Sequence, residues 1–139
     1  MNKFSGLELE VEAPFRLTLL HPVTRQPLRD GEGKEAYIDH YSADSEIARK
    51  HQRAVQRRRI AMRRLKISPE EIEAESTEAL ALLTVGWYLV DLKGNSIDLP
   101  FTPENARELY ASPAVSWLRE QLDESTADRG NFSRGSSTT

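Results

Sequence analysis

Three histidines, His21, His40 and His51, are the first residues here that could hold a metal or move a proton. His21 precedes a proline, His40 lies in an alternating stretch and His51 sits in a basic run. No two stand at ligand spacing and no HExxH pattern occurs, so the sequence carries no zinc ligand set. The absence of cysteine excludes disulfides, thiolate metal sites and a cysteine nucleophile. Ser5 and Ser136 each adjoin a glycine, but no GxSxG elbow surrounds them. The seven glycines form neither a phosphate loop nor a dinucleotide fingerprint. The expectation is a protein that is not an enzyme, with no catalytic, cofactor-binding or metal-binding residues.

A second chemistry lies in residues 49–66, where nine of the 19 basic residues fall within eighteen positions without one acid. Arg53, Arg57, Arg59, Arg63 and Arg64 on one helix would suit a row of phosphates, the signature of a small nucleic-acid-binding regulator. Against that stands the acidic run that follows, Glu70, Glu71, Glu73, Glu75 and Glu78. A helical hairpin turning near Ile67-Ser68 would lay the two blocks side by side and let each answer the other. No aromatic interleaves with the arginines to stack on bases. The helix-face reading is therefore preferred, and nucleic acid is not the expected partner.

A third resource is apolar. Trp87 and Phe101 flank the longest apolar stretch, residues 79–90, and read as core. Trp117, Leu118 and Leu122, on a helix whose apolar face exceeds the needs of the core, and Phe132 in the polar stretch after it are the candidates for contact with a partner protein. Self-association is a further partner expectation, with no surface assigned to it.

These residues must be positioned by a small number of elements. Leu7-Glu8-Leu9-Glu10-Val11-Glu12 and Phe15-Arg16-Leu17-Thr18-Leu19 alternate with period two, as half-buried strands do. His21-Pro22, Gln26-Pro27 and Asp30-Gly31-Glu32-Gly33 punctuate a loop, and residues 36–41 return as a strand. This β unit, residues 7–41, is too small to stand alone. Ser42, Asp44 and Ser45 offer caps to a helix whose stripe contains Ile47, His51, Val55, Met62 and Leu65. Ser68-Pro69-Glu70-Glu71 starts a second helix, with Ile72, Leu80 and Leu83 inward and Gly86 near its end. Thr102-Pro103-Glu104 and Ser112-Pro113 start two more. The expected fold is α+β and mostly helical. A small N-terminal antiparallel β-hairpin unit precedes about four helices. Residues 1–127 form one compact domain, with the helical part at 43–127, and the polar stretch 128–139 forms a flexible tail.

Composition agrees. A chain of 139 residues, with 19 basic against 22 acidic residues and a mean hydropathy of −0.59, suits one polar globular domain. It argues against a strongly basic coat protein. The longest apolar stretch has twelve residues, well short of the ~20 that span a bilayer, and residues 1–7 lack the apolar core of a signal peptide. No membrane association is expected.

The order of the pieces resembles one group of small phage proteins. His21-Pro22-Val23-Thr24-Arg25-Gln26-Pro27-Leu28 is similar to a turn that follows their first strand, with Arg25 where the group more often has Gly. Asp44-Ser45 before a charged helix, then Gly86-Trp87, then Pro100-Phe101-Thr102-Pro103-Glu104-Asn105-Ala106 and Leu109-Tyr110, follow in the same order. The chain thus resembles, over about residues 15–132, a tail assembly chaperone of long, non-contractile-tailed bacteriophages and prophages. The resemblance implies a non-enzymatic factor in the cytoplasm of the bacterial host that binds tape measure protein and recruits tail tube protein. It also implies absence from the mature virion. A structural tail or head–tail component retained in the particle is the alternative within the same setting.

Overall fold

Alternating side chains give Phe15–Thr18 (β1) and Tyr37–His40 (β2) one buried and one wet face, and the two pair antiparallel. In the computed structural model, which describes residues 6–62 and 66–133, a third strand, Thr84–Tyr88 (β3), pairs antiparallel with β2, so the sheet order is β1-β2-β3. Four helices follow the strands' logic: Glu46–Ala61 (α1), Pro69–Leu83 (α2), Pro103–Ala111 (α3) and Ser116–Ala127 (α4). The α+β architecture, mostly helical, is the one expected. Among the described residues, no helix is long and apolar enough to cross a membrane.

The core gathers Leu19, Leu28, Ile38, Leu80, Leu89, Tyr110, Leu118 and Leu122 between the sheet and α2, α3 and α4. Arg119 ties the three helices together from α4. Its guanidinium pairs with Glu73 and donates to Thr77 Oγ1 at 3.0 Å and to the Tyr110 carbonyl at 3.2 Å. Trp87 stands edge-on to Phe101 with ring centroids 5.1 Å apart, in the core role assigned to both.

Helix starts follow the sequence grammar. Ser68 Oγ accepts from the Glu71 N–H at 3.1 Å, and Thr102 Oγ1 from the Asn105 N–H at 3.0 Å, each beside a proline at the first helical positions. Ser112-Pro113 opens a 3-10 turn at Pro113–Val115 that leads into α4. At α1 the cap comes from elsewhere. Ser45 occupies the cap position without a side-chain cap bond, its hydroxyl donating to the Ser42 carbonyl. The Glu12 carboxylate accepts from the Glu46 N–H instead, at 2.7 Å.

Several expectations are corrected. Residues 7–12 form turns and irregular chain, not a strand. Their alternate residues are acidic, Leu7 is exposed, and Pro14 follows after Ala13. The segment is anchored by a Glu10 N–H bond to the Phe132 carbonyl, 2.7 Å, and by the Glu12 cap. The second helix stops at Leu83, and the rest of the apolar run turns into β3. A continuous apolar run carries no period by which to separate helix from strand, but Thr84, Val85, Trp87 and Tyr88 are β-branched or aromatic. Ile72, expected inward, is exposed. The tail is ordered further than expected: Arg129–Phe132 form a 3-10 turn, and Phe132 is buried. Leu65 and residues 134–139 lie outside the described residues.

Candidate functional site

The residues proposed for partner contact, three on α4 and Phe132 in the turn after it, prove to be inside. Leu122 is 0% exposed, Leu118 and Phe132 are buried, and Trp117 is partly buried against the core. Phe132 packs edge-on to Phe15 and His40, with centroids 6.0 Å away in each case. The apolar spacing at 118 and 122 was legible, but it belongs to the core, because the sheet needs a cover on the face that carries Leu17 and Ile38.

The apolar side chains left in water lie elsewhere. α1 buries only Ala48 and Val55, so it is attached by a narrow stripe. Two polar atoms at that contact, His51 Nε2 and Arg59 Nε, are buried without a hydrogen-bond partner among the described residues. Unpaired buried polar atoms weaken a contact by about 1–3 kcal/mol each. The Arg59–Glu75 ion pair sets the register of the antiparallel α1–α2 hairpin. One turn beyond it on each helix stand Met62 and Ile72, at the same end as Ile60. Their exposures are 57% for Met62, 54% for Ile72 and 75% for Ile60. Sequence reasoning placed Met62 and Ile72 in buried stripes. The missed signal is that a helix this basic has too few apolar residues to bury its far end.

The arginines divide. Arg53 is held by Glu46 at 2.9 Å, with Arg49 3.7 Å from the same carboxylate. Arg59 is taken by Glu75. Arg57, with Lys50 two helical turns away, faces outward with no ion pair among the described residues. Arg63 and Arg64 lie outside the described residues. The expected zipper between basic and acidic blocks is only partly formed: Glu73 pairs with Arg119 and Glu78 with Arg107, at 2.7 Å, so these acids answer α4 and α3.

The histidines are used by the fold. His21 Nδ1 accepts from the backbone N–H of Val23 at 3.0 Å and of Thr24 at 3.3 Å, closing the turn. Within that turn Arg25 has φ of 61°, a left-handed conformation that glycine adopts without strain. His40 and Ser125 form a Ser–His pair that the sequence did not reveal. The Tyr41 carbonyl, 2.9 Å from Nδ1, can only accept, so Nδ1 carries the proton and Nε2 accepts the Ser125 hydroxyl. The Asn131 amide donates to Ser125 Oγ at 3.1 Å and to the Ser125 carbonyl at 3.1 Å. Burial holds the His40 imidazole below its ordinary pKa. The pair is enclosed and its remaining valences are spoken for, so it fastens α4 to β2. Among the described residues, no group of three or more acidic or histidine side chains could hold a metal ion.

The other sequence pieces that carry the resemblance meet at one corner. The Trp87 indole donates to the Leu99 carbonyl at 2.8 Å, Asn105 Nδ2 donates to the Pro100 carbonyl at 2.9 Å, and Thr102 caps α3. Together they turn the chain from β3 into α3.

No family profile, no curated protein and no solved structure matches this chain.

Proposed function

We propose that the chain is a non-enzymatic tail assembly chaperone of a long, non-contractile-tailed bacteriophage, binding tape measure protein and recruiting tail tube subunits during tail morphogenesis. The observation that carries this reading is the exposed apolar end of the α1–α2 hairpin, with Ile60, Met62 and Ile72 in water above a well-filled core. A factor that masks a long helical protein before assembly needs an apolar face that docks and releases. The cationic outer side of α1 beside it would steer acidic amphipathic helices into place. The motifs behind the resemblance add support. The turn at residue 25 has the conformation that glycine, commoner there in that group, would favour, and the 100–106 stretch builds a corner. The site of action in this reading is the cytoplasm of the bacterial host, and the protein leaves before the virion matures.

Co-expression with a tape measure fragment tests the proposal. The expected result is co-purification and a more soluble fragment, both lost on Ile60→Ser with Met62→Ser. Mass spectrometry of purified particles separates the chaperone from a retained tail or head–tail component.

A second reading, a nucleic-acid-binding regulator, is favoured by Arg57 and Lys50 standing outward on α1. A mobility shift that weakens steeply with added salt would replace the first reading with this one.

A further inference from the structure

The sheet runs β1-β2-β3, and β1 is an edge strand with a groove beside it. The Leu19 N–H donates to the Ala36 carbonyl at 3.0 Å, on the β2 side. The β1–β2 register is regular, so Phe15 and Leu17 also bond towards β2, while Arg16, Thr18 and Leu20 turn their backbone groups outward. Leu20 is closed off by Gln121, whose carboxamide donates to its carbonyl at 2.8 Å and accepts from its N–H at 2.9 Å. The side chain thus imitates a neighbouring strand at that one residue. Arg16 and Thr18, about 7 Å apart along the strand, have no such partner for their outward groups among the described residues.

Beside this edge runs a groove of about 820 Å³, walled by β1 on one side and by α4 with the following 3-10 turn on the other. Its α4 wall is acidic. Glu124 is exposed with no ion pair among the described residues, Asp128 follows one turn later, and both stand near the helix C-terminus, where the backbone dipole is negative. Arg16 adds little opposing charge, because Asp39 holds its guanidinium at 2.8 Å. Arg25 marks the far end, near Leu20.

We infer that this groove binds an extended, basic segment of a partner protein, which adds to β1 as a fourth strand. The segment's backbone takes up the free groups of Arg16 and Thr18, and its cationic side chains lie against Glu124 and Asp128. Gln121 ends the pairing at Leu20 and so fixes the register. This site is separate from the hairpin end and stands whatever protein docks there.

The probe is an end-blocked hexapeptide alternating valine and lysine, titrated into the full chain labelled with nitrogen-15. Two comparators are the same peptide with glutamate for lysine and one methylated on alternate backbone nitrogens. The expected result is saturable binding that shifts the Arg16 and Thr18 amides, with both comparators weaker by about tenfold or more. Glu124→Lys should weaken the lysine peptide about tenfold without changing the melting temperature, since the position is exposed. Thr18→Pro removes an outward N–H and should abolish binding. If that variant fails to fold, Glu124→Lys and the methylated peptide still decide. Equal binding of the methylated or the glutamate peptide overturns the inference, as do shifts confined to α1. So do displacement of the probe by a peptide of residues 134–139, which would make the groove a seat for this chain's own end, and self-association through β1.

Discussion

His40 Nε2 and Ser125 Oγ lie 2.7 Å apart although 85 residues separate them along the chain. The bond joins the central strand to the last long helix, and the rings of Phe15 and Phe132 flank the imidazole. With the Leu20–Gln121 and Glu10–Phe132 bonds, it fastens the N-terminal and C-terminal parts of the chain to each other.

Stability should therefore depend on the charge of His40. Burial lowers its pKa and outweighs the Tyr41 carbonyl and the Asp39 carboxylate, which pull the other way. The unfolded chain takes up this proton first as pH falls. The contribution of neutral His40 is complete above about pH 6.5 and drains away as pH drops through that value towards the folded pKa. The slope is at most about 1.4 kcal/mol per pH unit. Urea melts from about pH 7.5 to 5.5 should show this loss in the native protein and a flatter profile in His40→Asn. Identical profiles would remove His40 from the account.

Gln121→Ala should destabilise the fold by about 1–3 kcal/mol, because it strips two partly buried backbone groups of Leu20 of their partner. Gln121→Glu keeps the acceptor but sets a charged oxygen against the Leu20 carbonyl, so its cost should match or exceed that of alanine. Chemical denaturation measures both. A neutral alanine substitution would mean that water serves Leu20 equally well.

Arg25→Gly should raise stability by about 0.5–1 kcal/mol, since arginine at φ of 61° carries a left-handed strain that glycine lacks. Thermal melting reads the change. A lower melting temperature would show that the arginine side chain contributes more than its backbone costs.

Glu12→Gln should cost about 0.5–1 kcal/mol, because a charged cap on the first turn of α1 becomes a neutral one. Added salt should narrow the gap between the two proteins. A gap that ignores salt argues for a packing role instead.

Leu122→Ala should cost about 2–5 kcal/mol, as for other fully buried leucines, and any loss of partner binding should track unfolding. Ile60→Ser should leave stability within about 0.5 kcal/mol yet reduce co-purification of the partner. The opposite pattern would return the partner surface to α4.

Legibility varied with the range of the interaction concerned. The starts of α2 and α3 were readable because cap and capped N–H lie three residues apart. The cap of α1 was not, because Glu12 reaches Glu46 across 34 residues. The β1–β2 pair announced itself by alternation, whereas β3 hid inside an apolar run whose helical first part, at Leu80 and Leu83, was read correctly. The apolar faces of α4 were visible, but a pattern says only that a face is apolar, and here the sheet already covers Leu118 and Leu122. Ile60, Met62 and Ile72 stayed in water because α1, basic on most of its faces, buries only Ala48 and Val55. That scarcity of apolar residues was in the sequence but outweighed there by the stripe's spacing.

The direct passage from α2 to β3 has a mechanical consequence. Leu83 ends the helix and Thr84 begins the strand, with no linker between them to absorb rotation. The junction is braced: Thr84 Oγ1 bonds the Leu80 carbonyl at 2.8 Å and Tyr110 Oη at 2.7 Å. A load applied at the far end of the hairpin is shared by the Arg119 and Arg107 ties along α2, and what passes beyond them reaches Thr84 without slack. The torque passes into the β2–β3 ladder beside the bulge at Asp39/His40, where that ladder is already irregular.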